Sequence, residues 1–239
     1  MENQIKASDG TAWQLGDTTV RAVVHERHPS RPTFLNVHDD EDTSVTAGLA
    51  NLAEFGGRII ELVHIGERLV SFHLAGHFYQ FDPNRIFSEA GITGTLERHS
   101  RHSPEAQAVI RAFAQDYLAR FQLNNEPLII ALHNATPGPF SVASFLPGAY
   151  LGSDAAAVAV SPRCDPYDFI FVTEPVHFEY LKGRDLNVVL QDNQRVTDDG
   201  SLSVHFARLG IPYLNVEAEM KNLSAQIAML RVVREMIGY

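Results

Sequence analysis

The chain has 239 residues, 45% hydrophobic and 20% charged, a composition that excludes collagen-like, coiled-coil and disordered readings. Nineteen Lys and Arg stand against 29 Asp and Glu, and a formal net charge of −10 speaks against partners such as nucleic acid or an anionic membrane surface. The single cysteine, Cys164, excludes an internal disulfide and a cysteine-rich zinc module. No run approaches the roughly 18 apolar residues of a membrane span. The opening residues Met1-Glu2-Asn3-Gln4 are polar, so a cytoplasmic location is expected unless an export signal has been removed.

In chain order, residues 33–37 read as a strand and 43–55 as a helix, with Val45, Leu49, Leu52 and Ala53 at helical spacing and Gly56-Gly57 as the stop. Residues 59–63 and 69–72 read as a hairpin around Ile65-Gly66-Glu67, and 77–81 as a further strand. Ser103-Pro104-Glu105 opens a helix to about Phe121, since serine before a first-turn proline is a start signal. A strand over 127–132 follows, then a long irregular excursion over 134–165. The last third alternates strand 169–172, helix 175–181, strand 187–190, helix 201–209, strand 212–216 and helix 223–237. This alternation predicts one α/β domain over 1–239, its mostly parallel or mixed central sheet flanked by helices. Ligands of open α/β sheets bind beyond the carboxyl ends of the strands.

Eleven histidines are the compositional oddity. Three predicted strands end in groups of metal-ligand type: His38-Asp39-Asp40-Glu41, His133-Asn134 and Glu217-Ala218-Glu219. Two imidazoles and a carboxylate suit zinc and leave a fourth position open. The His-x-x-Glu spacing occurs three times. His64/Glu67 falls in the predicted hairpin turn and His102/Glu105 at a helix start, where an acidic residue suits the dipole. Only His38/Glu41 lies between a strand and a helix. Asp82-Pro83-Asn84-Arg85, taken alone, is a turn.

Taken together, His38-x-x-Glu41, Asp82-x-Asn84-Arg85, His133 and Glu217 occur in the order found in the zinc carboxypeptidases, which this chain resembles over about residues 33–220. The resemblance implies a zinc-exopeptidase-like fold and one zinc ion held by His38, Glu41 and His133. It implies Glu217 as the base and Asn84 with Arg85 as the holders of a substrate carboxylate. The substrate would be a small peptide or acylated amino acid. Relatives with the same metal geometry, including amidases of cell-wall muropeptides and of N-acyl amino acids, are the alternative with which the short chain is compatible.

Several positions stay open. Arg68 and Arg58 compete for the family's oxyanion-stabilising arginine, Tyr180 is available as its substrate-facing tyrosine, and Glu219 competes with Glu217, since residues i and i+2 share a strand face. His38-Asp39-Asp40-Glu41 also resembles the motif of zinc deacetylases, without its proline and without that family's later His-x-Asp-His. A non-catalytic binding protein on the same fold is the remaining alternative. Asp198-Asp199-Gly200-Ser201 reads as a helix-capping turn. His177 and His205 read as half-buried structural residues, Cys164 shows no partner that would activate it, and Asn134 is placed beside a ligand or the substrate.

Overall fold

Alternation of apolar residues over two faces gives the chain a nine-stranded sheet, and residues 4–238 are described by the computed structural model, Asp9 by its backbone alone. The strands are β1 (Lys6–Leu15), β2 (Thr18–Arg27), β3 (Thr33–Asn36), β4 (Gly57–Val63), β7 (Ile129–Ala135), β8 (Ala155–Ala159), β9 (Phe169–Val172), β10 (Val188–Gln191) and β11 (Tyr213–Glu219). Their order across the sheet is β1-β2-β4-β3-β7-β11-β9-β10-β8. The run β4-β3-β7-β11 is parallel, as is β9-β10, and the other neighbours are antiparallel. The sheet is therefore mixed.

Helices cover both faces. Phe34, Ile130, Leu132, Leu214 and Val216 point to one side, against α1 (Asp42–Phe55), α4 (Pro175–Lys182) and α6 (Leu223–Met236). Leu35, Ile60, Ile129, Ala131 and Tyr213 point to the other, against α2 (Glu89–His99), α3 (Pro104–Arg120) and α5 (Leu202–Arg208). The period-2 switch between the two sets is what a two-sided buried sheet requires. Ser103 caps α3 as expected, its hydroxyl accepting from Ala106 N at 3.1 Å.

The hairpin expected from 59–63 and 69–72 is not formed. β4 lies inside the main sheet between β2 and β3, and β5 (Val70–Leu74) pairs instead with β6 (His77–Phe81). Ile59, Ile60 and Leu62 are buried, so β4 needs cover on both faces. The Asp39 carboxylate accepts from His64 N and Gly66 N at 2.7 and 2.6 Å, pinning the turn away from a return path. Three elements lie outside the sequence reading: the β1–β2 hairpin, α2, and β8 within the 134–165 excursion. Gly91 and Gly94 thin the apolar period of α2, and most of β1 is exposed.

Candidate metal centre

β3 and β7 are parallel neighbours, Leu35 opposite Ala131, and this pairing brings their carboxyl ends together. The chain leaves β3 through Val37 to His38, and Glu41 is the residue before α1. His133 lies within β7, which runs two residues beyond it rather than ending before it as the sequence suggested. His38 Nδ1 is 2.9 Å from Glu41 Oε1, His133 Nδ1 is 2.9 Å from Glu41 Oε2, and the two Nδ1 atoms are 3.1 Å apart. All three side chains are buried, and together they could hold a metal ion.

The donor chemistry can be tested against that reading. Two ring nitrogens turned towards each other and towards one carboxylate compete for few protons, an arrangement that a cation satisfies better. Ligand atoms at 2.0–2.1 Å from one tetrahedral ion lie roughly 3.3 Å apart. The observed separations are close to this, so the set fits.

The electrostatics are those of a tightly coupled group. Burial alone would lower the His38 pKa, but Glu41 and Asp82 outweigh it and raise it to about 9. Burial works against the charged form of Glu41 too, yet His38 and His133 hold it well below the usual carboxylate range. His133 is lowered, burial exceeding the pull of Glu41. Metal binding displaces the protons these contacts retain.

Asp82 explains the orientation of His38. Its Oδ1 is 2.9 Å from His38 Nε2, leaving Nδ1 to face Glu41 and His133. Such a carboxylate behind an imidazole fixes ring and tautomer. His133 Nε2 has no hydrogen-bond partner among the described residues. Arg68 donates from Nη1 to Glu41 Oε1 at 2.5 Å and lies 3.9 Å from Asp82 Oδ2. Arg58 is engaged elsewhere, with Thr33 Oγ1, Phe121 O and Glu126 Oε1. Of the two candidate arginines, Arg68 is the one at the centre.

Glu217 stands directly across from His133 on β11, and Phe169 on β9 stands across from Glu217. Burial, then the charge of Glu41, raises its pKa to about 8, against a donor bond from Asn215 Nδ2 at 3.1 Å. Glu219 is half-buried at the end of the strand and does not line the cleft that Glu217 lines.

That cleft, of about 1000 Å³, runs over the sheet from Glu41 and His133 to β10. Asn84 and Arg85 both line it. Asp82 caps the short 3-10 turn Pro83–Arg85, its carboxylate accepting from Asn84 N at 2.8 Å. Asn84 Oδ1 accepts from Leu202 N at 3.1 Å, and Arg85 Nε is 3.3 Å from Asp199 Oδ2. Part of each side chain is thus used to join this turn to the start of α5.

Other expectations resolve simply. Asn134 lines the cleft but makes no hydrogen bond to His38, Glu41 or His133: its amide accepts from Ser44 N at 2.8 Å and donates to Gln226 Oε1 at 2.9 Å, clamping α1 and α6 to β7. Tyr180 is on α4 with its hydroxyl accepting from Arg184, on the opposite face of the sheet. Asp198 takes Gly200 N and Ser88 Oγ and so orders the turn, but Ser201 makes no side-chain cap to α5, where Leu202 N is met by Asn84 instead. His205 rests against Asn124 and Phe87, and Cys164 against Asp185 O. Tyr213 lines the cleft and escaped the sequence reading because it lies inside an apolar run.

No family model matches the chain, and no curated protein matches it. Among solved structures, it is similar to a protein of Shewanella baltica OS155 described as a putative metallopeptidase, at 13% identity and a TM-score of 0.45, over 99% of this chain and 86% of that one. A protein of Shewanella amazonensis SB2B, with the same description, gives 10% identity and a TM-score of 0.40 over 97% and 85%. These values describe a loose likeness of layout. No helix among the described residues is long and apolar enough to cross a membrane.

Proposed function

We propose that the protein is a zinc-dependent hydrolase of an amide bond, of carboxypeptidase or amidase type, acting on a small peptide or acylated amino acid with a free carboxylate. The observation that carries this reading is the convergence of His38 Nδ1, His133 Nδ1 and the Glu41 carboxylate beside the cross-strand carboxyl of Glu217. Imidazole and carboxylate ligands suit zinc. Bound there, zinc supplies Lewis acidity to a carbonyl and acidity to a water.

The chain's own groups account for the rest. Glu217 is a general base of the right kind: burial raises its carboxyl above the ordinary carboxylate range, so the carboxylate takes a proton readily and can give it back to a leaving amine. Arg68, half-exposed over Glu41, offers its guanidinium to charge developing on the carbonyl oxygen. Asn84 and Arg85 face the cleft with donors left over from their structural bonds, and a guanidinium suits a carboxylate in a bidentate way.

The test is to load purified protein with zinc, count the metal by elemental analysis, and assay peptides ending in a free carboxylate or in an amide. One zinc per chain with hydrolysis of the free acid supports the reading. Stoichiometric zinc without hydrolysis of any amide would reduce it to a metal-binding protein.

A further inference from the structure

Away from Glu217 the cleft continues as an arm over β11, β9 and β10, and its polar groups there are short of partners. Gln191 lies level with Tyr213 across the sheet, since Leu190 pairs with Val172 and Val172 with Leu214. Tyr213 is four residues from Glu217, which is about 13 Å along a strand. A group bound at Gln191 therefore belongs to the periphery of a substrate and not to the bond being cut.

Gln191 is 3% exposed and lines the cleft, yet its Oε1 has no hydrogen-bond partner among the described residues. Its orientation is fixed by two acceptors. Nε2 donates to Asn193 Oδ1 at 2.9 Å and reaches Ser203 O at 3.5 Å, both acceptors, so the oxygen must be the atom turned the other way. Asn215 Oδ1, midway along the same strand face, is buried and equally without a partner. A buried acceptor left unmet is costly and calls for a donor.

The charge of the arm has a matching sign. Asp154 lines it immediately before Ala155, the residue paired with Gln191. Its Oδ1 accepts from Thr197 N and Thr197 Oγ1 at 3.1 and 3.2 Å, and no cationic side chain pairs with it among the described residues. Asp198 and Asp199, by contrast, are neutralised by Arg208 and Arg85. Besides Glu217, which burial keeps protonated, six carboxylates line the whole cleft against three guanidiniums, a balance that favours a cation.

We propose that this arm is a subsite for a primary ammonium group of the substrate, held by Gln191 Oε1 and the Asp154 carboxylate, with Asn215 Oδ1 accepting a substrate N–H on the way. The ammonium can be the amino terminus of a short peptide or the end of a lysine-like side chain. The inference rests on the hydrolase reading for the word substrate, but the binding it describes can be measured without turnover.

The experiment is calorimetric titration of the metal-free protein with two peptide pairs: tetra-alanine against its N-acetyl derivative, and tri-alanyl-lysine against tri-alanyl-norleucine. Deleting the ammonium that enters the arm should weaken binding about tenfold to a hundredfold, the range for a charge-assisted hydrogen bond. The pair that responds identifies the source. In Asp154→Asn and Gln191→Met the two affinities of that pair should converge, and circular dichroism confirms that each variant is folded. Asp154 is half-buried, so its variant remains informative where Gln191→Met fails to fold. Equal affinities within both pairs, no binding of any of the four peptides, or discrimination that survives Asp154→Asn would each overturn the subsite. Hydrolysis by zinc-loaded protein is then measured separately. Discrimination without hydrolysis sinks the hydrolase reading and spares the subsite, and hydrolysis without discrimination does the reverse.

Discussion

Glu217 and His133 face each other in register on the parallel strands β11 and β7, so a carboxyl with a pKa of about 8 stands one strand away from an imidazole of the candidate metal group. Neighbouring strands are about 4.8 Å apart, which places the two side chains over the same patch of cleft. The same burial that suits Glu217 to proton transfer works against the fold.

A consequence is that Glu217→Gln should have opposite effects on activity and on stability. Loss of a positioned base costs about 10²–10⁴-fold in turnover. For the metal-free protein, the carboxyl is protonated in both states below its ordinary value of 4.5. As pH rises from there, the unfolded chain releases the proton and the folded chain keeps it until about 8, so stability is lost through that window. Gln carries no such loss. Urea unfolding should show the variant gaining on the parent between pH 5 and pH 8, by about 1–3 kcal/mol at the upper end, the penalty for a buried polar group short of partners. An unchanged difference at the two pH values would remove Glu217 from its low-dielectric site.

What could be read from the sequence follows from how local each signal is. His38, Glu41 and His133 were identifiable because a β-strand followed by chemistry-bearing residues is a local pattern, and the parallel pairing of β3 with β7 then joins them. The partnership of β5 with β6 could not be read, since it depends on Asp39 pinning a turn 25 residues downstream. Glu217 could be separated from Glu219 only by which of them the cleft reaches. The arm at Gln191 was invisible for a further reason: it is assembled across four strands whose order is not their order in the chain.

Metal binding should be directly measurable as stability. A ligand at a hundred times its Kd adds about 2.7 kcal/mol to a folded protein that alone binds it. Zinc should therefore raise the Tm of the parent, and His38→Ala or His133→Ala should abolish the shift. Asp82→Ala should weaken zinc about 10–100-fold without removing a ligand, because it frees the His38 ring that Nε2 anchors. Equal zinc affinity in Asp82→Ala and the parent would show that the ring needs no anchor.

Arg85 offers a second discriminating pair of variants. Its Nε is held by Asp199 at 3.3 Å, and a substrate carboxylate has to share or displace that partner. Arg85→Lys should impair a substrate with a free carboxylate about tenfold or more relative to the same substrate amidated, since Lys lacks the planar fork. Asp199→Asn should do the opposite and improve the KM of the free acid, having removed the competitor. If both substitutions lower KM discrimination alike, Arg85 serves only to tie its turn to the start of α5.

The joint between that turn and α5 can be tested by volume alone. A Cβ on Gly91 would stand 2.3 Å from Gly200 Cα and 2.7 Å from Arg85 O, and Gly200 itself has φ +74°, where a side chain is strained. These are backbone atoms, so nothing nearby can rotate aside. Gly91→Ala should cost about 1–3 kcal/mol by overpacking. At this chain length each kcal/mol lowers Tm by about 2–4 °C. Because the joint also sets where Asn84 and Arg85 stand, the variant should lose affinity for carboxylate substrates, while its zinc affinity changes less, since His38, Glu41 and His133 lie outside the joint and only Asp82 connects the two. Melting at the parental temperature would show that α2 can move off Gly200 freely, and the carboxylate site would then not depend on this contact.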